Sequence, residues 1–227
     1  MKLLFVRHGH PDYQNDCLTP LGKIQAEQVA KRLMKEPISA IYSSSFGRAK
    51  ETAAPYAALT NLPVTILDWM HEVNWRPKDG IGDEHMKYHP WLLSFDMVKA
   101  GENPLTADLQ NVEFYKNSTI SDCYDLICRE SDTWLSGLGY ERKEHGYICT
   151  RENDDTIVLF AHHGSGTCLF SHLMNIPLLG MFANFGYTYT GISEFDFEGK
   201  TGEFLMPTLS LFNEHSHIDD CEQMLSM

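Results

Sequence analysis

The sequence is short of positive charge. Its 227 residues include 18 lysines and arginines against 31 aspartates and glutamates, which gives a formal net charge of -13. Because basic patches bind nucleic-acid phosphates and anionic membrane surfaces, this balance argues against both as main partners. A small anionic substrate is compatible with an acidic surface if a few cations gather in one pocket. With 43% hydrophobic and 22% charged residues, the composition is that of a globular protein.

The sequence also lacks paired cysteines and long apolar runs. The six cysteines lie at positions 17, 123, 128, 149, 168 and 221, without a CxxC motif. This spacing argues against a disulfide framework and against a cysteine zinc site. The apolar run at 3–6 is far too short for a signal peptide or a membrane span. We therefore expect a cytoplasmic protein that does not insert into a membrane.

Short apolar runs alternate with helical patterns along the chain. We predict strands at 2–6, 38–43, 63–67 and 156–161, and helices from Pro20, from about Arg48, over about 121–138 and from about His163. Thr19 suits the N-cap of the first helix, because its hydroxyl can accept from a free backbone N–H. This alternation predicts an α/β fold with a mainly parallel central sheet and helices on both faces. A closing pair of strands is predicted at 188–197 and 202–209.

Two His-Gly steps each follow the end of a predicted strand. His8-Gly9 comes after the first strand, and His163-Gly164 comes after the strand at 156–161. In open α/β sheets ligands bind at the carboxyl edge of the strands, so the fold can bring these distant histidines together. A glycine after each histidine lets the backbone approach a ligand closely.

Two arginines accompany these histidines. Arg7 directly precedes His8, and Arg48 lies in the first turn of its helix, where the helix dipole disfavours a cation by about 0.3–1 kcal/mol. A bound anion would reverse that penalty, because helix N-termini and guanidinium groups both bind phosphate. Taken alone, Arg48 is better explained by solvent exposure or by a pair with Glu51. Taken with Arg7 and the two histidines, it predicts an anion site.

The residues also resemble a known family. The matching segments are LLFVRHG at 3–9, LTPLGKIQA at 18–26, IYSSSFGRAKETA at 41–53, VLFAHHG at 158–164 and LFNEHSH at 211–217. In this order and in strand–turn–helix context, they resemble the histidine phosphatase superfamily, also called phosphoglycerate mutase-like. The match runs along nearly the whole chain and is weakest over 75–150. It implies a three-layer α/β sandwich and an enzyme that hydrolyses phosphomonoesters through a phosphohistidine.

The resemblance implies a role for each matching residue. His8 would attack phosphorus, while Arg7, Arg48 and His163 would hold the non-bridging oxygens and stabilise the developing charge. Asn15 and Gly164 are further candidates for phosphate contacts. One nitrogen of His8 must face the phosphate unprotonated, so the other should donate to a backbone carbonyl. Because arginines supply the charge, no metal ion and no cofactor is expected.

The proton donor to the leaving oxygen has two candidates, Glu72 and Asp68. Glu72 follows a predicted strand at the place where the family often has its acid. Aromatic neighbours such as Trp69 and Trp75 would raise its pKa, as a general acid requires. An exposed loop carboxylate is the alternative interpretation of Glu72.

Several features depart from the family pattern. His10 and Pro11 follow Arg-His-Gly, where many members have Glu or Thr. The Glu-Arg-His-Tyr-Gly signature of the cofactor-dependent phosphoglycerate mutases is absent, which favours hydrolysis of a small phosphorylated metabolite over mutase-type phosphotransfer. His162 is expected to pack behind the pocket. Ser165 is either a helix N-cap or a phosphate contact.

Two other classes stay open at this point. A binding protein without turnover would keep the fold, although its signature, the loss of a pocket His or Arg, is absent. A zinc hydrolase would use pairs such as His162-His163, His8-x-His10 or His215-x-His217, but no HExxH helix is present.

The pattern weakens between residues 75 and 118, a segment rich in Gly, Pro and aromatic residues with one predicted helix at about 90–98. We interpret the chain as one catalytic domain, 1–227, in which 75–118 is an insertion that covers the active site and sets specificity. A helical appendage packed on the core, or a contact in a homodimer, would explain the same aromatic content.

Overall fold

A six-stranded sheet forms the centre of the structure, a computed structural model that describes residues 1–76, 78, 89–106 and 118–218. Its strands are β1 (Lys2–Arg7), β4 (Ile38–Ser43), β5 (Val64–Ile66), β8 (Thr156–Ala161), β9 (Ile192–Asp196) and β11 (Thr208–Glu214), in the order β11-β9-β1-β8-β4-β5. The pairs β1–β8, β8–β4 and β4–β5 are parallel, and β9 runs antiparallel to both of its neighbours. The predicted mainly parallel sheet is confirmed.

The described helices are α1 (Pro20–Leu33), α2 (Gly47–Thr60), α3 (Pro90–Lys99), α4 (Thr119–Gly137), α5 (His163–Met174) and α6 (Leu178–Asn184). Thr19 caps α1 as predicted, since its hydroxyl accepts from the Gly22 N–H at 3.1 Å. Helices α2 and α5 begin shortly after β4 and β8 end. Their N-termini therefore lie at the carboxyl edge of the sheet, where ligands bind in folds of this kind.

Side chains that alternate along the central strands fill a core on each face of the sheet. Leu4 and Val6 pack with apolar residues of α1 and α2 on one face. Leu3 and Phe5 pack with apolar residues of α4 and α5 on the other. Because both faces are covered, β8 is buried along its whole length, which explains its continuous apolar sequence.

Parts of the second half of the chain differ from the sequence prediction. A hairpin of β6 (Tyr140–Lys143) and β7 (Gly146–Cys149) pairs with β10 (Phe204–Leu205) in a small second sheet that was not predicted. The predicted closing pair is wrong in its second strand, because β9 pairs with β11 while β10 pairs with β7. The pairing of β7 with β10 needs a glycine at position 146, because a Cβ atom there would lie 2.3 Å from the Phe204 ring. Helix α6 was not predicted either.

The segment at 75–118 is described in part. Helix α3 confirms the helix predicted at about 90–98, and α4 begins at Thr119, slightly earlier than predicted. Residues 77, 79–88 and 107–117 lie outside the described residues, so the extent of the insertion stays a prediction. None of the described helices is long and apolar enough to cross a membrane.

Candidate active site

The pairing of β1 with β8 brings two histidines together. Arg7 is opposite Ala161 in the parallel register, and the His8 N–H donates to the Ala161 carbonyl at 2.9 Å. The residues that follow, His8 and His162, lie side by side with ring centroids 5.1 Å apart. They are 1% and 0% exposed, so the carboxyl edge of the sheet contains a buried pair of imidazoles.

His8 is held as a neutral imidazole with one unprotonated nitrogen. Its Nδ1 lies 2.7 Å from the Gly9 carbonyl oxygen, so Nδ1 carries the proton and donates it, as expected from the sequence. The other nitrogen, Nε2, accepts from Arg48 Nε at 3.3 Å. Burial lowers the pKa of His8 to about 3, and the charges of Arg7 and Arg48 act in the same direction. His8 therefore presents an unprotonated Nε2 at neutral pH.

Arg48 is positioned by an acid that the sequence did not reveal. Asp16, in the loop between β2 (Pro11–Asp12) and β3 (Cys17–Leu18), places Oδ1 2.6 Å from Arg48 Nη1. Asp16 Oδ2 accepts from the Gly47 N–H at 2.6 Å, which offsets the dipole penalty for a cation in the first turn of α2. Glu51, the predicted alternative partner, accepts from the Leu18 N–H instead. Arg48 is 5% exposed, so the alternative of a solvent-exposed side chain does not hold.

Arg7 adds a second guanidinium group to the same edge. It donates to the Tyr187 carbonyl, and its guanidinium carbon lies 4.0 Å from the centre of the Tyr189 ring. Tyr189 in turn lies 5.8 Å from the His8 ring. Among the described residues, the buried Nε of Arg7 has no hydrogen-bond partner. An anion beside His8 would satisfy this donor.

Glu72 lies at the N-terminus of α5. Its Oε1 accepts from the Val73 and Ser165 N–H groups at 3.0 and 3.1 Å. One carboxylate oxygen of Glu72, one nitrogen of His8 and one nitrogen of His162 lie within 4.8 Å of one another. Burial raises the pKa of Glu72, although Arg48 and the two backbone hydrogen bonds oppose the shift. Glu72 therefore has the place and the raised pKa that a general acid needs.

Two further predicted residues, Asp68 and Gly164, differ in their position relative to Glu72. Asp68, the competing acid, is exposed in the 3₁₀ turn Asp68–Met70. Gly164 lies directly against the carboxyl group, since a Cβ atom there would be 2.7 Å from Glu72 Oε1 and 2.4 Å from Val73 Cγ2. Gly164 thus makes room for the acid at the start of α5, and its predicted contact with phosphate stays a prediction.

The structure gives the neighbours His162 and His163 different surroundings. His162 contacts His8, and its Nε2 lies 2.8 Å from Ser44 Oγ. Its buried Nδ1 has no hydrogen-bond partner in the part of the chain that the structure describes. His163, which glycine follows, was the predicted phosphate contact. The register of β8 places His162 beside His8, because Ala161, the residue before His162, is paired with Arg7, the residue before His8.

His163 connects the site to the described part of the insertion. Its ring packs at 4.6 Å against Trp91 of α3 and at 4.7 Å against Tyr187, and its Nε2 lies 3.4 Å from the Phe185 carbonyl oxygen. Burial lowers the pKa of His163 to about 3, so it is also neutral. Helix α3 is therefore anchored beside the site, and its role as a cover stays a prediction.

Asn15 is an exposed member of the predicted site. Its side-chain amide donates to Asp12 Oδ2 at 2.7 Å, which stabilises the turn between β2 and β3. His10, which the family pattern does not explain, has Nδ1 2.9 Å from Thr19 Oγ1 and lies edge-on to Tyr189 at 5.4 Å. The phosphate contact of Asn15 stays a prediction.

One cluster of described residues, His8, Glu72 and His162, has the spacing of a metal site. Guanidinium groups flank it, with Arg48 Nε 3.3 Å from His8 Nε2, and their charges repel a divalent cation. The other histidines proposed as zinc ligands make their own contacts: His215 Nδ1 lies 2.7 Å from the Asn213 carbonyl and His217 Nε2 3.1 Å from Thr190 Oγ1. The cluster suits an anion better than a metal ion.

Both the sequence and the fold are similar to those of known phosphatases. The sequence profile of the histidine phosphatase superfamily (branch 1) matches residues 3–112. A probable phosphatase of Schizosaccharomyces pombe is 33% identical over 82 residues, which are 32% of this chain and 39% of that protein. The chain thus matches well under half the length of this curated relative.

Solved structures extend the likeness to the whole fold. Phosphoserine phosphatase from Entamoeba histolytica superposes with a TM-score of 0.64 at 22% identity, over 96% of this chain and 98% of that one. Mycobacterial glucosyl-3-phosphoglycerate phosphatase gives 0.64 at 21% identity over 93% and 98%. The α-ribazole phosphatase of Shigella flexneri gives 0.62 at 21% over 95% and 97%. Residues 3–112 thus resemble the histidine phosphatase superfamily, and the solved structures share the fold over nearly the whole chain.

The buried neutral His8 predicts a specific dependence of stability on pH. Below about pH 6.5 the unfolded chain protonates this residue and the folded protein does not, so the free energy of unfolding should fall as pH falls toward 3. At pH 5 the loss from His8 is about 2 kcal/mol. We expect the free energy of unfolding, measured in urea, to fall between pH 7 and pH 5 by about 2 kcal/mol less in His8→Asn than in wild type.

The exposed His145 provides the matched control, because His145→Asn should leave the fall unchanged. Glu72 is present in all three proteins, so its raised pKa, which acts in the opposite direction, largely cancels in the comparison. An equal fall in wild type and His8→Asn would show that His8 is not held neutral.

Proposed function

We propose that the protein hydrolyses phosphomonoesters of small metabolites through a phosphohistidine at His8, without a metal ion. The observation that carries this proposal is the neutral His8, whose Nε2 lies 3.3 Å from Arg48 Nε in a buried site beside a second arginine. Relatives of the same fold include phosphatases named for phosphoserine and for glucosyl-3-phosphoglycerate. A cavity of about 800 Å³ leads to Arg48 and Glu72, which suits a small-molecule substrate.

In the first step, His8 Nε2 attacks phosphorus and the bond between phosphorus and the ester oxygen breaks. Arg48 exchanges its contact with Nε2 for a phosphoryl oxygen, and the free Nε of Arg7 binds another. These guanidinium groups stabilise the charge that builds up on the phosphoryl oxygens. Protonated Glu72 donates its proton to the leaving oxygen, so that an alcohol departs and the carboxylate remains.

In the second step, water attacks the phosphohistidine. The Glu72 carboxylate accepts a proton from this water, the bond between phosphorus and Nε2 breaks, and the electron pair returns to His8. Inorganic phosphate and the starting enzyme result. Glu72 serves as acid and then as base, which its raised pKa allows.

His162 is the histidine that we place on the phosphoryl group beside His8. It is fully buried, its ring lies 5.1 Å from His8, and its Nδ1 is without a partner among the described residues. His163 packs between the rings of Trp91 and Tyr187, and in the proposed mechanism it positions α3 beside the site. This proposal moves to His162 the phosphate contact that the family resemblance implies for His163.

Replacing the nucleophile tests the proposed function. We expect His8→Ala to lower kcat/KM for 4-nitrophenyl phosphate by about 10³-fold or more. Wild type quenched during turnover should carry a phosphoryl group on His8 that acid removes and alkali does not. His145→Ala, on an exposed histidine, should behave as wild type. Equal activity in wild type and His8→Ala, or a phosphoryl group on another residue, would refute the mechanism.

The adjacent histidines distinguish the two assignments of the phosphate contact. His162→Gln should lower kcat/KM by about 10²–10³-fold, because it removes a group that stabilises the transition state. His163→Gln should lower it less than about tenfold, because it removes only packing against α3. Circular dichroism of both variants controls for folding. The reverse order of losses would return the contact to His163.

The acid is tested with two leaving groups. Glu72→Gln should lower kcat/KM for an alkyl phosphate by about 10²–10⁴-fold, because the poor leaving group needs a proton. With 4-nitrophenyl phosphate, whose leaving group needs no proton, the loss should be much smaller. Asp68→Asn is the matched control and should change neither value. Equal losses on both substrates would mean that Glu72 does not donate this proton.

A further inference from the structure

A wide cavity opens outward from Arg48 and Glu72. Its volume of about 800 Å³ is far more than a phosphoryl group fills. Rings along it belong to Tyr13, Phe46, His71 and Trp75, and those of Phe46 and His71 stack at 5.9 Å. The leaving group of a substrate bound at His8 would lie in this cavity, against these rings.

The charged groups among the described residues that line the cavity are mostly positive. Arg48, Arg76 and Lys78 line it, and Glu72, the proposed proton donor, is the one acid among the described lining residues. This local excess contrasts with the net charge of -13 of the chain. Asp122 Oδ1 lies 2.8 Å from Lys78 Nζ, but its side chain is 63% exposed and such a surface pair contributes little. A bound anion can therefore compete for Lys78.

The backbone that carries Arg76 is fixed. The Arg76 carbonyl accepts from the Thr119 N–H at 2.9 Å and from Thr119 Oγ1 at 3.2 Å. Thr119 Oγ1 also donates to Asn74 Oδ1. The chain between Glu72 and Arg76 is thus tied to the first residue of α4, and the positive end of that helix adds to the field of the two cations.

We propose that the substrate carries a second anionic group on its leaving group, a carboxylate or another phosphate, which Arg76 binds with help from Lys78. The proposal rests on the proposed function, because it places the reacting phosphoryl group at His8. Arg76 is four positions after Glu72 in the chain, so their Cα atoms are at most roughly 14 Å apart. The leaving group is therefore short, of the size of a small hydroxy acid or a sugar phosphate. Guanidinium suits either anion because it can donate two parallel hydrogen bonds.

Paired substrates test this specificity. Glycerol 3-phosphate and 3-phosphoglycerate share a carbon skeleton and differ by one carboxylate, and glycerol 1,3-bisphosphate replaces that carboxylate with a phosphate. We expect wild-type kcat/KM to be at least about tenfold higher for 3-phosphoglycerate or for glycerol 1,3-bisphosphate than for glycerol 3-phosphate. Whichever of the two is preferred identifies the anion. Equal values for all three would overturn the proposal.

Variants assign the effect to the two cations. Arg76→Gln should remove about three- to tenfold of the preference, and Arg76→Gln with Lys78→Gln should remove nearly all of it. Turnover of 4-nitrophenyl phosphate should change less than twofold in both. Arg151→Gln makes the same charge change before β8, at the opposite edge of the sheet, and should retain the preference. Equal loss in Arg151→Gln would mean that net charge, not Arg76, sets the preference.

Different experimental results would refute the proposed function and the proposed preference for a second anionic group. Absence of 4-nitrophenyl phosphate turnover in wild type would refute the function alone. The specificity would then be measured by calorimetric titration of the same three compounds into wild type and Arg76→Gln. Tighter binding of 3-phosphoglycerate or glycerol 1,3-bisphosphate that Arg76→Gln abolishes would support the anion site. Equal affinities would overturn it.

Discussion

The parallel pairing of β1 with β8 is the constraint on which the site depends. It places Arg7 opposite Ala161, and each strand then delivers a histidine at its carboxyl end. Both strands are buried on both faces, so neither can slip by one residue without turning its apolar side chains out of their core. The packing of the core thereby fixes the distance between His8 and His162, far from any residue that takes part in the chemistry.

Burial then decides the charge of each group at this edge. An imidazole that is removed from water and faces two guanidinium groups loses its proton, and the pKa of His8 near 3 corresponds to about 5 kcal/mol against the charged form. The same burial favours the protonated form of Glu72. Asp16 balances the charge of Arg48 when no anion is bound. An acidic protein can thus maintain a small cationic site, because these charges are fixed locally.

The sequence predicted the parts of this architecture that follow from apolar patterning. The strand at 156–161 is a nearly continuous apolar run because helices cover both faces of the sheet, whereas the strand at 38–43, ISAIYS, is only partly buried. The hairpin β6–β7 escaped prediction because it lies outside that sheet and begins with the polar sequence YERK. The contact between Asp16 and Arg48 was not predicted, because the two residues are distant in sequence and no local pattern links them. His163 was predicted as a phosphate contact from the family resemblance, and the proposal of His162 in its place depends on the register of β8, which only the structure provides.

The charges of His8 and Glu72 depend on which of the two side chains holds one proton. A neutral His8 with a protonated Glu72 and a cationic His8 with an ionised Glu72 contain the same number of protons. The second arrangement would form an ion pair but leave His8 without a lone pair for attack and the leaving oxygen without an acid. Desolvation acts against both charges of that pair, and Arg7 and Arg48 act further against a cationic His8. The same two arginines favour the ionised form of Glu72, so burial is the effect that holds the proton on the carboxyl group. Replacing either arginine would therefore raise the pKa of both groups, so the charges of His8 and Glu72 are not separable properties.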